Sequence, residues 1–252
     1  MGRAKEIIVK VIPAKIANEF VKQHHYSGKV VQNSSLHFGC FLDNKLHGVL
    51  SYGSSLDKSK TIGLVEPTLW NEYLELNRMA FDEYLPRNSE SRCISISLKL
   101  IKRNAPHIKW ILSYADATAS GDGAIYRAAG FMLTRINVNK SILILPDGER
   151  IADVSIKNRR DKYTIQRVCK KLGIPTYSGA TVKPVIDAGA RWAEGYQLRY
   201  IYLIDKSCKI TVPILPFSRI DELGAGMYRG ERISLEERRA TLSEQVDSNA
   251  SS

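Results

Sequence analysis

The chain has 252 residues, 44 % hydrophobic and 25 % charged, which are ordinary globular values and exclude wholesale disorder, collagen and coiled coil. Lys and Arg outnumber Asp and Glu by 37 to 26, a formal net charge of +11. A surplus of that size points to a polyanionic partner, because each neutralised phosphate releases a condensed counterion.

Glu6–Ile12 alternates and is β-branched, so it predicts a first strand. Pro13 ends it and suits the first turn of a helix over Ala14–His24, with Ile16, Phe20 and Val21 at helical spacing. Ser35–Leu42 and Lys45–Gly53 predict two strands joined by a tight turn at Asp43-Asn44. Glu75–Phe81 is a further strand, and a loop over Asp82–Glu90 leads into a helix from Ser91 to Lys102. Trp110–Ala115 is an apolar strand, and a short helix then runs from Asp122 or Gly123 to Ala129, stopped by Gly130. Strands follow at Phe131–Val138 and Ser141–Leu145.

Beyond Ile156 a basic run, Asn158-Arg159-Arg160-Asp161-Lys162, opens a helix reaching Leu172. Gly179–Gly195 reads as a loop, and Tyr196–Asp205 is the strongest strand signal in the chain. The expected architecture is mixed α/β: one domain over 1–230 with an inserted helical and loop segment around 157–195, then a polar, disordered tail over 231–252. Four scattered cysteines (Cys40, Cys93, Cys169, Cys208) form no CxxC pair, which argues against zinc knuckles and thioredoxin-like chemistry. Cys40 and Cys93 read as reduced core thiols. No apolar run approaches 18 residues and the N-terminal segment has no long apolar region, so the expectation is a cytoplasmic protein with no membrane span.

Two stretches carry chemical signals. Pro86-Arg87-Asn88-Ser89-Glu90-Ser91-Arg92 combines helix-capping residues with two arginines. A helix tip of that kind binds phosphate through free N–H groups, although a plain capped helix has the same residues. Lys109–Asp116 (KWILSYAD) and Gly123–Phe131 (GAIYRAAGF) put an aspartate at a strand end and Tyr126 on a short helix. Asp116 reads either as a base or orienting acceptor or as a turn residue, and Tyr126 as either an acid or a packing aromatic. Arg78 lies inside a strand, where it is salt-bridged or aimed at an anion, with Glu75 as a second candidate base. His24-His25-Tyr26-Ser27 closes the first helix, with His25 as a dipole partner, a proton shuttle or a metal ligand.

The order of strand, phosphate-type loop, helix, strand and short helix with Tyr-x-x-x-Gly-Phe resembles the GNAT acyltransferase superfamily. That resemblance implies a GNAT-like α/β fold whose twisted mixed sheet has its fourth and fifth strands splayed, an acyl donor of the acetyl-CoA class in the gap, and Tyr126 as general acid. The Arg87–Arg92 loop would hold the donor through Arg87, Asn88, Ser89, Ser91 and Arg92. It departs from the usual glycine-rich phosphate loop, and Glu90 would repel a pyrophosphate if it pointed inward. A closer resemblance, carried by HHYSGKVV (24–31), GVLSYG (48–53), ELNRMAF (75–81), LPRNSESR (85–92), KWILSYAD, GAIYRAAGF and VPILPFSRI (212–220), is to the phage Mom family. Members modify adenine in phage DNA to the methylcarbamoyl form and protect it from restriction. By motif position the functional residues fall on Arg78, Ser91, Asp116 and Tyr126, with His25 and Tyr26 as further candidates.

An enzyme acting on adenine in duplex DNA must extrude the base against apolar or aromatic side chains. Tyr26, Tyr52 and Trp70 are the stacking candidates; Lys29, Lys58, Lys60, Arg159, Arg160 and Lys162 are the candidates for backbone phosphates. The family product joins the adenine nitrogen to a methylene carbon, whereas plain transfer from acetyl-CoA would join it to the carbonyl. Glycyl and carbamoylmethyl groups are isomers, so a glycyl donor such as glycyl-tRNA with rearrangement, or an oxidative step on an acetyl group with iron held by His25 and Asp116, stand as two routes. An ordinary N-acetyltransferase and a non-catalytic DNA-binding protein are the alternatives in other classes.

Overall fold

The computed structural model describes residues 3–158 and 162–237. Its centre is a seven-stranded sheet of β1 (Ile8–Val11), β2 (Ser34–Leu42), β3 (Lys45–Gly53), β4 (Tyr73–Phe81), β5 (Trp110–Ala117), β6 (Met132–Val138) and β7 (Tyr196–Leu203). The lateral order is β1-β2-β3-β4-β5-β7-β6. All neighbours are antiparallel except β4 and β5. A parallel pair needs a long crossover, here supplied by helix α2 (Ser89–Asn104). Helices α1 (Ala14–His24), α3 (Ala124–Ala128) and α4 (Tyr163–Leu172) complete the named elements.

The local chemistry explains these elements. Asp43 and Asn44 adopt φ of 49° and 60°, the left-handed pair that a tight hairpin needs and that Asp and Asn tolerate. In α2, Cys93, Ile94, Leu98 and Ile101 are buried in one cluster with Phe38, Tyr52, Ile111 and Leu198. In α1, Ala17, Phe20 and Val21 cluster with Val49 and Ala80. Leu50 belongs to the first cluster and Val49 to the second, so α1 and α2 cover opposite faces of the sheet. All four cysteines are buried and unbridged, and the Cys40 and Cys93 thiols meet between β2 and α2.

The splayed sheet expected from the acyltransferase resemblance is present. Parallel pairing of β4 with β5 runs from Tyr73↔Trp110 to Leu76↔Ser113 and stops, although β4 continues to Phe81 and β5 to Ala117. On its other edge β5 stays paired with β7 out to Ala117↔Tyr196. The β3–β4 pairing shifts register between Ser51 and Tyr52, an irregularity that bends β4 away at the same level.

Sequence reading errs in three places. Gly179–Gly195 is not a plain loop: it holds a helix at Lys183–Asp187 and a strand at Arg191–Trp192 that pairs with Ile142–Ile144. These pieces join α4 around a separate core of Leu143, Ile151, Ile165, Val168 and Val185, which scattered apolar residues between glycines did not reveal. The helix after the basic run starts at Tyr163. The disordered tail expected over 231–252 includes paired residues, since Glu231–Arg232 pairs with Met227–Tyr228 as a hairpin; polar composition hides two residues held by backbone bonds. Residues 238–252 lie outside the described residues.

Candidate active site

The gap between β4 and β5 opens into a cleft of about 330 Å³. Its lining includes His25, Tyr26, Arg78, Glu90, Asp116, Tyr126 and the 227–229 hairpin. Residues ninety positions apart therefore meet there because the sheet fails to close.

Asp116 sits just past the point where β4 leaves. Its Oδ2 accepts a hydrogen bond from Tyr26 Oη at 3.0 Å. Its Oδ1 accepts from Gln197 Nε2 and from the Thr118 N–H, each at 3.0 Å. Three donors fix the carboxylate's plane. Its backbone carbonyl closes the following turn by accepting from Ser120 and Gly121. The turn reading of Asp116 and the site reading are thus both satisfied, by different atoms. Enclosure of its hydroxyl in the cleft, together with Asp116, pushes the Tyr26 phenol well above its ordinary value although the residue as a whole is exposed, so Tyr26 remains a donor.

Arg78 enters from β4. Its Nη1 lies 3.3 Å from His25 Nε2, while His25 Nδ1 lies 2.9 Å from Ser27 Oγ and 3.1 Å from the Ser27 N–H. The imidazole thus faces more donors than acceptors. Burial, and then the Arg78 charge, pushes His25 down to about 4, so the ring is neutral at ordinary pH. Arg78 makes no ion pair among the described residues, and its buried Nε has no partner there. Burial lowers the guanidinium from its ordinary value, yet it remains a cation facing the cleft.

Tyr126 reaches the cleft from the α2 face. It is buried, with its ring against Phe131 and Tyr200 at centroid distances of 5.5 and 5.4 Å. Burial raises its phenol while a hydrogen bond with Ser113 opposes this, so the hydroxyl stays protonated. It is at once a packing aromatic and a lining residue. Glu75, one strand position before the gap, is raised to about 6 by burial, opposed by Ser55 and Arg78.

The phosphate-type loop is less well gathered. Asn88 starts α2 at φ 66° and its side chain makes no cap. Ser89 Oγ turns back to the Pro86 carbonyl and Ser91 Oγ to the Asn88 carbonyl at 3.3 Å. Arg92 donates to the Lys5 carbonyl at 3.2 Å, and Arg87 is exposed. Of the segment 87–92, only Glu90 lines the cleft. Beyond Leu76, where the parallel ladder has ended, the β4 edge that faces β5 is open, and Glu90 adds a carboxylate to the cleft lining.

The suggested iron site does not fit its residues. His25 Nε2 faces a guanidinium, and three donors leave the Asp116 carboxylate a single open lone pair, on Oδ2, so a cation would meet repulsion on one side and one acceptor position on the other. Among the described residues no group of three His, Cys, Asp or Glu could hold a metal ion. Tyr52 is also corrected: it is fully buried with its hydroxyl 2.6 Å from Ser97 Oγ, so it is core and stacks on no base. Tyr26 and Trp70 are exposed. Lys58 lies 5.0 Å over the Trp70 ring, Lys60 is ion-paired with Asp57, and Lys29 and Lys162 are exposed. Arg159 and Arg160 lie outside the described residues.

Sequence reasoning missed Gln197, Ser113 and the hairpin residues Tyr228 and Arg229. Gln197 had a signal: in Tyr196–Leu203 it and Arg199 are polar side chains on one face of an otherwise apolar strand.

Comparison with known proteins places these residues in a lineage. A family model described as the Mom protein family matches residues 6–219. The methylcarbamoylase Mom of Escherichia phage Mu is 36 % identical over 153 residues, covering 61 % of this chain and 63 % of that protein. Among solved structures, a spermidine/spermine N-acetyltransferase from Vibrio cholerae aligns with TM-score 0.44 and 9 % identity, covering 82 % of this chain and 97 % of its own. An N-acetyltransferase from Staphylococcus aureus aligns with TM-score 0.44 and 8 % identity, over 79 % and 99 %. No helix among the described residues is long and apolar enough to cross a membrane.

Proposed function

The chain belongs to the Mom protein family, and from that premise we propose that it is a DNA-modifying transferase that places a methylcarbamoyl group on the exocyclic amine of adenine. The observation that carries the reading is the pairing, in one cleft, of a triply held carboxylate, Asp116, with a cation that makes no ion pair among the described residues, Arg78. The adenine amine is a weak nucleophile, because its lone pair is delocalised into the ring. Its reaction needs a proton acceptor, charge stabilisation and exclusion of water.

In this reading Asp116 accepts the amine proton, held at the right angle by Tyr26 and Gln197. Arg78 stabilises negative charge as it develops on the transferred group; the neutral His25 beside it adds no competing anion. Tyr126, protonated and buried, returns a proton to the leaving group. A glycyl ester bound along the open edge of β4 would supply every atom of the product: attack of the amine at its carbonyl breaks the ester C–O bond, releases the alcohol that Tyr126 protonates and leaves an N-glycyl adenine, and isomerisation of that group gives the methylcarbamoyl form with no oxidant. Exposed Tyr26 at the cleft mouth suits stacking against an extruded purine. The net charge of +11 favours a DNA partner, and protection from host restriction would follow from the modified base.

The test is mass spectrometry of nucleosides from plasmid DNA in cells expressing the chain. An adenine adduct of two carbons, one oxygen and one nitrogen is expected, and it should disappear with Asp116→Ala and fall with Tyr126→Phe. Unmodified adenine beside acetylation of a small amine would replace this reading with an ordinary N-acetyltransferase.

A further inference from the structure

We propose, resting on the reading of the chain as a DNA-modifying enzyme, that Arg135 and Arg199 form a clamp for a DNA backbone phosphodiester beside the acceptor mouth. The two arginines are direct cross-strand partners on β6 and β7, next to a register shift between Arg199 and Tyr200. Like charges placed opposite each other destabilise a sheet, so the pair is an arrangement that folding alone disfavours. Among the described residues neither makes an ion pair with a carboxylate.

Their own contacts orient the guanidinium groups without neutralising them. Arg135 Nε donates to Asn137 Oδ1 at 2.9 Å, and Arg199 Nε donates to Thr134 Oγ1 at 3.0 Å. Using Nε in this way fixes each fork and leaves the terminal nitrogens for a ligand, the geometry that suits bidentate contact with phosphate oxygens. Burial, and the repulsion of Arg135, lower Arg199 from its ordinary value; a bound anion would relieve both.

The pair lines a second cavity of about 360 Å³ with Tyr114, Asn137, Ser141 and Gln197. All six side chains carry hydrogen-bond donors and none is a carboxylate, so the cavity matches an anion with several acceptor oxygens. It is joined to the cleft through two residues. Tyr114 lines both, and Gln197 lines the second cavity while donating to Asp116. Gln197 pairs with Asp116, and Arg199 with Tyr114, so the clamp is two residues along β7 from the reacting carboxylate, about 7 Å. One nucleotide can then present its base to the cleft and an adjoining phosphate to the clamp. A phosphate of the donor is the other source of the same chemistry, and it would have to leave the β4 edge and cross Tyr114 to arrive here.

Fluorescence anisotropy with a labelled duplex and no donor, over a salt series, tests this for the wild type, Arg135→Gln/Arg199→Gln and Arg135→Lys/Arg199→Lys. Each phosphate contact contributes about 0.9 to the slope of log affinity against log salt. The double Gln variant should lose about 0.9 from that slope, the share of one phosphate, and bind at least about tenfold more weakly at low salt. Its thermal midpoint should hold or rise, because a repulsive pair has gone. The double Lys variant should recover the slope but not the full affinity, since ammonium groups cannot make the bidentate contact. A folded double Gln variant with an unchanged slope overturns the clamp, including the case in which only donor-dependent turnover falls. Nucleoside mass spectrometry on the same samples separates the two ideas. Wild-type modification with an unchanged slope sinks the clamp alone; a lost slope with wild-type adenine left unmodified sinks the adenine reading alone.

Discussion

Glu75→Gln offers the most quantitative check on how the splayed sheet shapes its electrostatics. Glu75 stands one position before the last paired level of β4, where closing strands bury it but no ion pair among the described residues compensates. Burial raises its carboxyl from 4.5 to about 6, even though Ser55 and Arg78 oppose the rise. One pKa unit is 1.36 kcal/mol, so the charged form costs the folded state about 2 kcal/mol. The sign follows from proton counts. Between about pH 4.5 and 6 the native state binds more protons at this position than the unfolded state, so its contribution to stability falls as pH rises through that window and stays lost above it. Glutamine keeps an acceptor for Ser55 and carries no charge. Denaturant unfolding of the wild type and Glu75→Gln from pH 4 to 8 should therefore show a difference that grows from near zero at pH 4 to about 2 kcal/mol in the variant's favour at pH 7. A difference independent of pH, or one favouring the wild type at pH 7, would refute the assigned burial. If Glu75 rather than Asp116 takes the amine proton, the same variant also abolishes an acid limb near pH 6 in the modification rate.

Three further outcomes are expected. Tyr26→Phe removes one of the three donors on Asp116; a net hydrogen bond of about 1 kcal/mol predicts a fall of about fivefold in modification rate, measured in single-turnover assays, with a thermal midpoint lowered by no more than about 4 °C. His25 should titrate in NMR with a midpoint near 4 and return toward 6.5 in Arg78→Gln; a midpoint near 6.5 in the wild type would refute its burial beside the guanidinium. Gly195→Ala should destabilise by about 3 kcal/mol in chemical denaturation, because φ is +135° and a Cβ would lie 2.4 Å from the Ala117 carbonyl oxygen and 2.7 Å from Thr118 Cα.

What could be read in the sequence was whatever has a local cause. The Asp43-Asn44 turn, the amphipathic α1 and the glycine stop at Gly130 each declare themselves within a few residues, and each recurs in the structure at nearly the expected bounds. Asp116, Arg78, Tyr126, His25 and Tyr26 were named one by one from motifs, and the cleft brings all five together. The loop 87–92 was misjudged in its detail because a capping composition does not say which way side chains turn: Ser89 and Ser91 bond backward to their own turn and Arg92 reaches the N-terminal segment. Tyr52 was misjudged because an aromatic in an alternating strand has two faces to choose from, and only packing against α2 decides. Gln197 could not be tied to Asp116 at all, since the strand order β5-β7-β6 inserts a late strand between two early ones. Long-range order of that kind carries no local signature.

That inserted strand also explains why the site can exist. An edge strand at β5 would have to pair with β4 along its whole length to be stable, and the gap would close. With β7 bonded to its far side from Trp110 to Ala117, β5 keeps a full ladder on one edge and can leave β4 on the other. The same strand then furnishes Gln197 to hold Asp116 and Arg199 to face Arg135. Weakening β7 should therefore act on Asp116 before it acts on Arg78, whose strand is anchored independently by β3. Hydrogen exchange of a β7 core variant such as Leu198→Ala should loosen Tyr114–Ala117 while sparing Arg78 and Met79. Equal loosening of β4 and β5 would mean that the two strands still depend on each other and that the gap is not a stable feature of the sheet.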